Sequence, residues 1–123
     1  MGERGENTHL AQAETIVHDG VALVRLTGEI DMINAQHTRS VLQSQLDARP
    51  EILIVDLALD FLGSAGLATL FEAHTRAEQD DVGFAVVAAE HVPRHALEVS
   101  GLDHAFAVFD TVADAFEALR SSD

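Results

Sequence analysis

Four consecutive apolar residues, Ile52-Leu53-Ile54-Val55, three of them β-branched, constrain this chain more than any other segment. A strand with one solvated face alternates apolar and polar side chains. An unbroken run therefore marks a strand buried on both faces, the pattern of a central strand in a parallel sheet. Pro50 closes the turn in front of it. The rest of the fold has to be built around this strand.

Upstream, residues 1–13 read as a flexible lead-in, charged and without period, so that a single domain is expected over residues 14–120. Two β-rich runs, Glu14 to His18 and Val21 to Thr27, are separated by Asp19-Gly20, a pair suited to the positive φ angles of a tight hairpin turn. In the second run Ala22, Val24 and Leu26 alternate with Val21, Leu23, Arg25 and Thr27, which predicts one uniformly apolar face turned inward; Gly28 then ends the strand. Asp31 is a plausible cap for a helix over about 33–48 carrying Val41, Leu42 and Leu46. Downstream of the central strand, a loop holding Asp60 and Gly63 leads into a helix over about 65–79. Leu67, Leu70, Phe71, His74 and Ala77 form its core stripe, and Glu72 and Arg76 an outer i,i+4 pair.

A further apolar strand is expected over 82–88. Pro93 then opens a short helix reaching Ser100 and stopped by Gly101. Residues 105–109 form the last strand, and Thr111 or Asp110 caps a final helix presenting Val112, Ala115, Phe116 and Leu119. The order β-β-α-β-α-β-α-β-α predicts an α/β domain with right-handed crossovers. Its sheet is mixed but mostly parallel, with an N-terminal hairpin and about four helices.

Composition narrows the function. With 47% hydrophobic residues, the 123-residue chain has enough apolar side chain for one core without metal or disulfide support. It has no cysteine, which excludes disulfides, thiolate metal sites and cysteine nucleophiles. Its seven basic residues are all arginine. The missing lysine removes the Walker A lysine, Schiff-base chemistry and the protein-kinase strand lysine. A net charge of −14 opposes binding to nucleic acid or to an anionic membrane. The first fourteen residues lack an apolar signal core, and no apolar run approaches the ~18 residues of a membrane helix, so a cytoplasmic protein is expected. The preference for Ala, Val and Arg over Ile and Lys points to a GC-rich bacterial genome.

The segment from Val55 to Leu67 holds the main candidate site: a buried strand leading through a short loop into a helix whose first turn contains Ser64, Ala65 and Gly66. Ser64 falls at or beside the N-cap, where its hydroxyl can satisfy a free backbone N–H. Most serines in that position are caps and nothing more, but free N–H groups and the positive helix end also suit a phosphate. Leu62-Gly63-Ser64-Ala65-Gly66 approaches the nucleophile-elbow pattern G-x-S-x-G without its first glycine, and a catalytic triad would also need a positioned histidine and acid. His91 and His95 have a zinc-compatible spacing but no third ligand nearby, and are read as solvent-facing. His74 is expected at the core edge, His37 on a helix surface, Asp56 hydrogen-bonded to nearby backbone, and Asp80-Asp81 in a solvated turn.

Three segments carry a resemblance: Leu26-Thr27-Gly28-Glu29-Ile30-Asp31, Ile54-Val55-Asp56-Leu57 and Phe61-Leu62-Gly63-Ser64-Ala65-Gly66-Leu67. Together they resemble the STAS domain of anti-sigma factor antagonists over nearly the whole chain. Gly28, Glu29, Ile30 and Asp31 match that family's strand-end motif. Phe61, Leu62, Ser64, Ala65, Gly66 and Leu67 match its switch motif, in which Ser64 takes the place of the phosphorylatable serine and Gly63 stands where the family usually has Asp. The resemblance implies a non-enzymatic binding protein without a cofactor. Its partners would be an anti-sigma factor that is also a serine kinase and a PP2C-type phosphatase, and its docking surface would comprise Asp31, Gly63, Ser64, Ala65, Gly66 and Leu67. Because of Gly63, a second reading stays open, in which the domain is a ligand sensor or scaffold without regulated phosphorylation.

Overall fold

The computed structural model describes residues 12–121. The chain runs β1 (Gln12–His18), β2 (Val21–Ile30), α1 (Ala35–Asp47), β3 (Ile52–Leu62), α2 (Ser64–Gln79), β4 (Gly83–Val87), α3 (His91–Ser100), a single 3₁₀ turn (Leu102–His104), β5 (Ala107–Phe109) and α4 (Val112–Ser121). The five strands lie in the order β1-β2-β3-β4-β5, antiparallel between β1 and β2 and parallel thereafter. Most of the lead-in predicted for residues 1–13 lies outside the described residues; Gln12 and Ala13 belong to β1.

Because the sheet is laid down in chain order without a reversal, right-handed crossovers put every connecting helix on the same face. Leu42 and Leu46 of α1, Leu70, Ala73 and Ala77 of α2, and Leu97 of α3 accordingly share one core with Ala22, Val24, Leu26, Leu53, Val55, Leu57 and Val86. The last helix is free of that rule, since no strand follows it in the sheet. It folds back over the opposite face, where Ala115 packs with Ile52, Ile54, Ala85 and Val87. Double coverage explains the unbroken apolar run in β3, all four residues of which are buried.

The hairpin forms as expected, with Asp19 and Gly20 at φ 51° and 80°. Several local expectations are corrected. Gly28 does not end β2: at φ 90° it lies inside the strand, which continues to Ile30. Asp60 is in β3 rather than a loop, leaving Gly63 as the single residue between β3 and α2. The buried stripe of α2 is Gly66, Thr69, Leu70, Ala73 and Ala77, with Phe71 47% exposed. Glu72 and Arg76 do not pair with each other. Glu72 accepts from Arg39 of α1 at 2.7 Å, and Arg76 contacts Asp47 of α1 at 2.6 Å and Asp80 at 3.3 Å, tying the two helices together. Asp80 is thus a paired C-cap residue rather than a freely solvated one.

Thr111 Oγ1 caps α4 by accepting the Asp114 N–H at 3.0 Å, and Gly101 at φ 82° ends α3. The final strand is shorter than predicted and starts at Ala107. His74 sits at the core edge against the rings of Phe84 and Phe106, at 5.8 and 5.5 Å between centroids. Asp56 lies mid-strand opposite Arg25 on β2, not bound to backbone. Burial pushes its carboxyl up, and the nearby Arg25 partly offsets that rise.

Leu42, fully buried between α1 and the sheet, and half-exposed Phe71 allow a direct test of this packing. Leu42→Ala should lower the unfolding free energy in urea by about 2–5 kcal/mol, whereas Phe71→Ala should change it by less than about 1 kcal/mol.

Candidate functional site around Ser64

The site lies where β2 and β3 end side by side. Along most of their length the two strands pair in regular parallel register, but Gly28 pairs with Leu59 and Glu29 with Phe61, which leaves Asp60 as an extra residue in β3. An added residue reverses the facing of every side chain beyond it. Leu57 and Leu59 point into the core, and after the bulge Leu62 does so, at 5% exposure, while Phe61 is turned outward at 46%. The bulge therefore delivers an aromatic ring to the surface one residue before the junction with α2.

At that junction the Gly63 N–H donates to the Ile30 carbonyl at 2.9 Å, and the Gly63 carbonyl accepts from the Leu67 N–H at 3.0 Å to start the helix. Gly63 is the N-cap and supplies no side-chain acceptor. Ser64 is the first helical residue rather than the cap. Its exposed side chain makes no cap hydrogen bond, so the hydroxyl is free at the start of α2. The leading N–H groups of a helix have no partner within the helix, and no side chain caps them here.

The two glycines differ in their physical role. At Gly66 an added Cβ would lie 2.6 Å from Leu62 Cδ1 and 2.8 Å from Ile30 Cγ2, so its missing side chain lets α2 rest on the buried strand ends. At Gly63 the backbone (φ −88°) suits any L-residue, and an added Cβ would meet the exposed Phe61 ring at 3.0 Å. Phe61 leans over the space that a side chain at position 63 would enter.

Facing this junction is the turn between β2 and α1. Asp31 Oδ1 accepts the N–H groups of Ile33 and Asn34 at 2.9 and 3.2 Å, while Asn34 Oδ1 accepts the Asp31 N–H at 2.9 Å and Asn34 Nδ2 donates to the Glu29 carbonyl at 2.8 Å. Asp31 thus caps the turn ahead of α1, which begins at Ala35, instead of capping α1 itself. The reciprocal bonding holds Met32 and Ile33 at the tip, 85% and 86% exposed.

Asp31, Met32, Phe61, Gly63, Ser64 and Ala65 line one shallow depression of about 360 Å³. Of the six predicted docking residues, Asp31, Gly63, Ser64 and Ala65 are therefore together. Leu67 is half-buried against the core, and Gly66 is buried. The exposed apolar residues Met32, Ile33 and Phe61 were not foreseen. Their signal was an apolar pair inside an Asp-x-x-Asn turn, and a phenylalanine whose facing depends on a bulge. No histidine lines the depression, so a serine-hydrolase constellation has no geometry here. His91 and His95 are exposed and stacked at 5.4 Å on α3, and no group of three ligands able to hold a metal ion occurs among the described residues. A larger hollow, about 490 Å³, lies at the opposite end of the sheet among Asp19, Glu51 and Asp81, away from Ser64.

An exposed, uncapped serine among apolar side chains, at the strand ends of an α/β sheet, is a site of the kind at which such domains bind partners. The STAS domain model matches residues 12–115, and the chain belongs to the STAS-domain family of anti-sigma factor antagonists. It is 38% identical over 104 residues to the anti-sigma-F factor antagonist RsfB of Mycobacterium tuberculosis, covering 84% of each chain. Among solved structures it is similar to an anti-sigma factor antagonist from Mycobacterium paratuberculosis, with a TM-score of 0.84, 34% identity, and coverage of 89% of this chain and 94% of that one. The Bacillus protein SpoIIAA in its phosphorylated form shares the fold, with a TM-score of 0.64 at 19% identity over 89% of this chain and 98% of that one. No helix among the described residues is long and apolar enough to cross a membrane.

The two glycines should respond differently to substitution. Gly66→Ala should destabilise the domain by about 1–3 kcal/mol through overpacking, and Gly63→Asp should stay within about 0.5 kcal/mol of the parent. Thermal unfolding followed by circular dichroism separates the two outcomes.

Proposed function

We propose that this protein is an anti-sigma factor antagonist that captures an anti-sigma factor of the serine-kinase type through the surface around Ser64. Capture releases the sigma factor, and phosphorylation of Ser64 ends it. The observation that carries this reading is the free Ser64 hydroxyl at an uncapped helix start, beside exposed Met32 and Phe61. In the unphosphorylated state this surface can be buried against a partner through mostly apolar contact, with the partner supplying acceptors for the Ser64 hydroxyl and the free N–H groups of α2.

In the switching step the Ser64 oxygen attacks the γ-phosphorus of ATP bound to the kinase. ADP departs and the hydroxyl proton passes to a base on the kinase. The product adds roughly −1.5 to −2 charge. In the free protein the bare start of α2 stabilises that charge by about 0.3–1 kcal/mol, so the fold survives modification. In the complex the same dianion would have to lose its water against an apolar surface, next to Asp31 and on a chain of net charge −14. Phosphorylation therefore acts on docking far more than on folding. A PP2C-type phosphatase resets the switch, and the whole cycle is placed in the cytoplasm.

Gly63 supports a second reading, an STAS ligand sensor or scaffold without regulated phosphorylation. The position carries no carboxylate for a kinase to meet, and the Phe61 ring leans over it.

Incubation with candidate anti-sigma factor kinases and ATP, followed by intact-mass measurement and peptide mapping, should find one phosphoryl group on Ser64. Tight binding by a kinase that never modifies the protein would favour the scaffold. In titration calorimetry against the same partner, Ser64→Glu should weaken binding by about tenfold or more, equivalent to 1.4 kcal/mol. Met32→Ser combined with Ile33→Ser should also weaken binding while leaving the unfolding midpoint unchanged. Undiminished affinity in the Ser64→Glu variant would rule out the switch.

A further inference from the structure

β1 forms one edge of the sheet, and its outer side pairs with no strand among the described residues. Natural sheets protect such edges with prolines, lysines, bulges or very short strands. The opposite edge follows that practice, since β5 has three residues. β1 does so only through the charge of Glu14: its seven residues contain no proline and pair with β2 in unbroken register, and Ile16 and Val17 are 63% and 62% exposed on opposite faces.

The hairpin determines which backbone groups face outward. In a two-residue turn the flanking residues, here His18 and Val21, form a hydrogen-bonded pair, and bonding alternates from there. His18, Ile16 and Glu14 thus bond to β2, while Val17, Thr15 and Ala13 direct their N–H and C=O groups away from the sheet. On the face that carries Ile16, a depression of about 260 Å³ lined by Leu23, Ile54, Val112 and Phe116 continues the exposed apolar surface inward from the edge.

We propose that β1 pairs antiparallel with β1 of a second copy about a two-fold axis through Ile16, joining two sheets into one. In this register Thr15 and Val17 of the second copy exchange both backbone bonds, and so does the symmetric pair. Ile16 meets its own counterpart at a non-hydrogen-bonded position, where side chains approach most closely. Glu14 falls opposite His18 of the second copy, so the carboxylate faces an imidazole that can donate a ring N–H to it at this edge. Moving the axis to Thr15 would set Glu14 against Ile16, and moving it to Val17 would set it against Gly20. His18 already contacts Asp19 at 3.2 Å, and Glu14 is opposite Arg25 on β2, so the new contact extends an existing row of polar side chains.

Pairing through a single seven-residue strand gives a limited interface, so the proposed association is weak, reversible and concentration-dependent. It leaves both Ser64 surfaces open, since these lie at the end of β3 and antiparallel pairing points the two ends in opposite directions.

Sedimentation velocity on the full chain across a concentration series should show a monomer–dimer equilibrium. Ile16→Lys should remain monomeric throughout while keeping the parent circular dichroism spectrum and urea midpoint. Because the chain has no cysteine, oxidation of an Ile16→Cys variant should give a covalent dimer, and a mixture of Glu14→Cys with His18→Cys should cross-link between the two variants. Val99→Cys, on an exposed position of α3, should not cross-link. A parent chain that stays monomeric at every concentration, or an Ile16→Cys variant that cross-links no better than Val99→Cys, would overturn the proposal.

Discussion

The hydrogen bond from the Gly63 N–H to the Ile30 carbonyl fastens the ends of β2 and β3 together at the point where α2 begins. With those ends fixed, the start of α2 must rest on Ile30 and Leu62, which only a glycine at position 66 permits. The chain leaving Ile30 must turn beside the same helix start, and Asp31 and Asn34 stabilise that turn with reciprocal bonds. The surface around Ser64 is thus built from two strand ends of a doubly covered sheet and requires no long loop. A surface of that construction is pre-organised, so little of it would have to be ordered on binding.

The parts of this architecture that were legible in the sequence are those in which a single periodicity holds. The run Ile52 to Val55 announced a doubly buried strand, the alternation through Val24 announced an inward face, and Asp19-Gly20 announced the hairpin. Ser64 was legible at or beside a helix start, and α2 begins there. What was hidden depended on interactions between elements. The length of β3 was missed because Asp56, Ala58 and Asp60 lie on the sheet face beyond the reach of α4, where polar and small residues are tolerated. The bulge at Asp60 cannot be seen in β3 alone, since it exists only relative to β2, and with it went the outward facing of Phe61. The pairing of Glu72 with Arg39 and of Arg76 with Asp47 was missed for a similar reason: spacing on one helix predicts partners within that helix and is silent about a neighbouring one.

Those ion pairs also shape the electrostatics of the molecule. Arg39 and Arg76 bind α1 to α2, Arg94 pairs with Asp110, and Arg25 lies beside Asp56. With arginines far outnumbered by carboxylates, the chain carries a net charge of −14, which speeds encounter with a basic face on a partner and repels other acidic proteins. Around Ser64 the field is set against apolar contact, a combination in which a small change of charge has a large effect on association.

The order of the sheet has a bearing on how the molecule comes into being. Every strand is paired with its immediate neighbours in the chain, and no segment has to wait for a distant one to arrive before it can be placed. Each parallel connection closes through one intervening helix, so the entropy lost on placing each strand is that of a single crossover. A nascent chain leaving the ribosome could add strand and helix in succession to a growing edge. The final helix, emerging last, would cover Ile52, Ile54, Ala85 and Val87 only after the whole sheet had formed. Until α4 packs, that face of the sheet is exposed, which makes its docking the step that hides the aggregation-prone apolar surface.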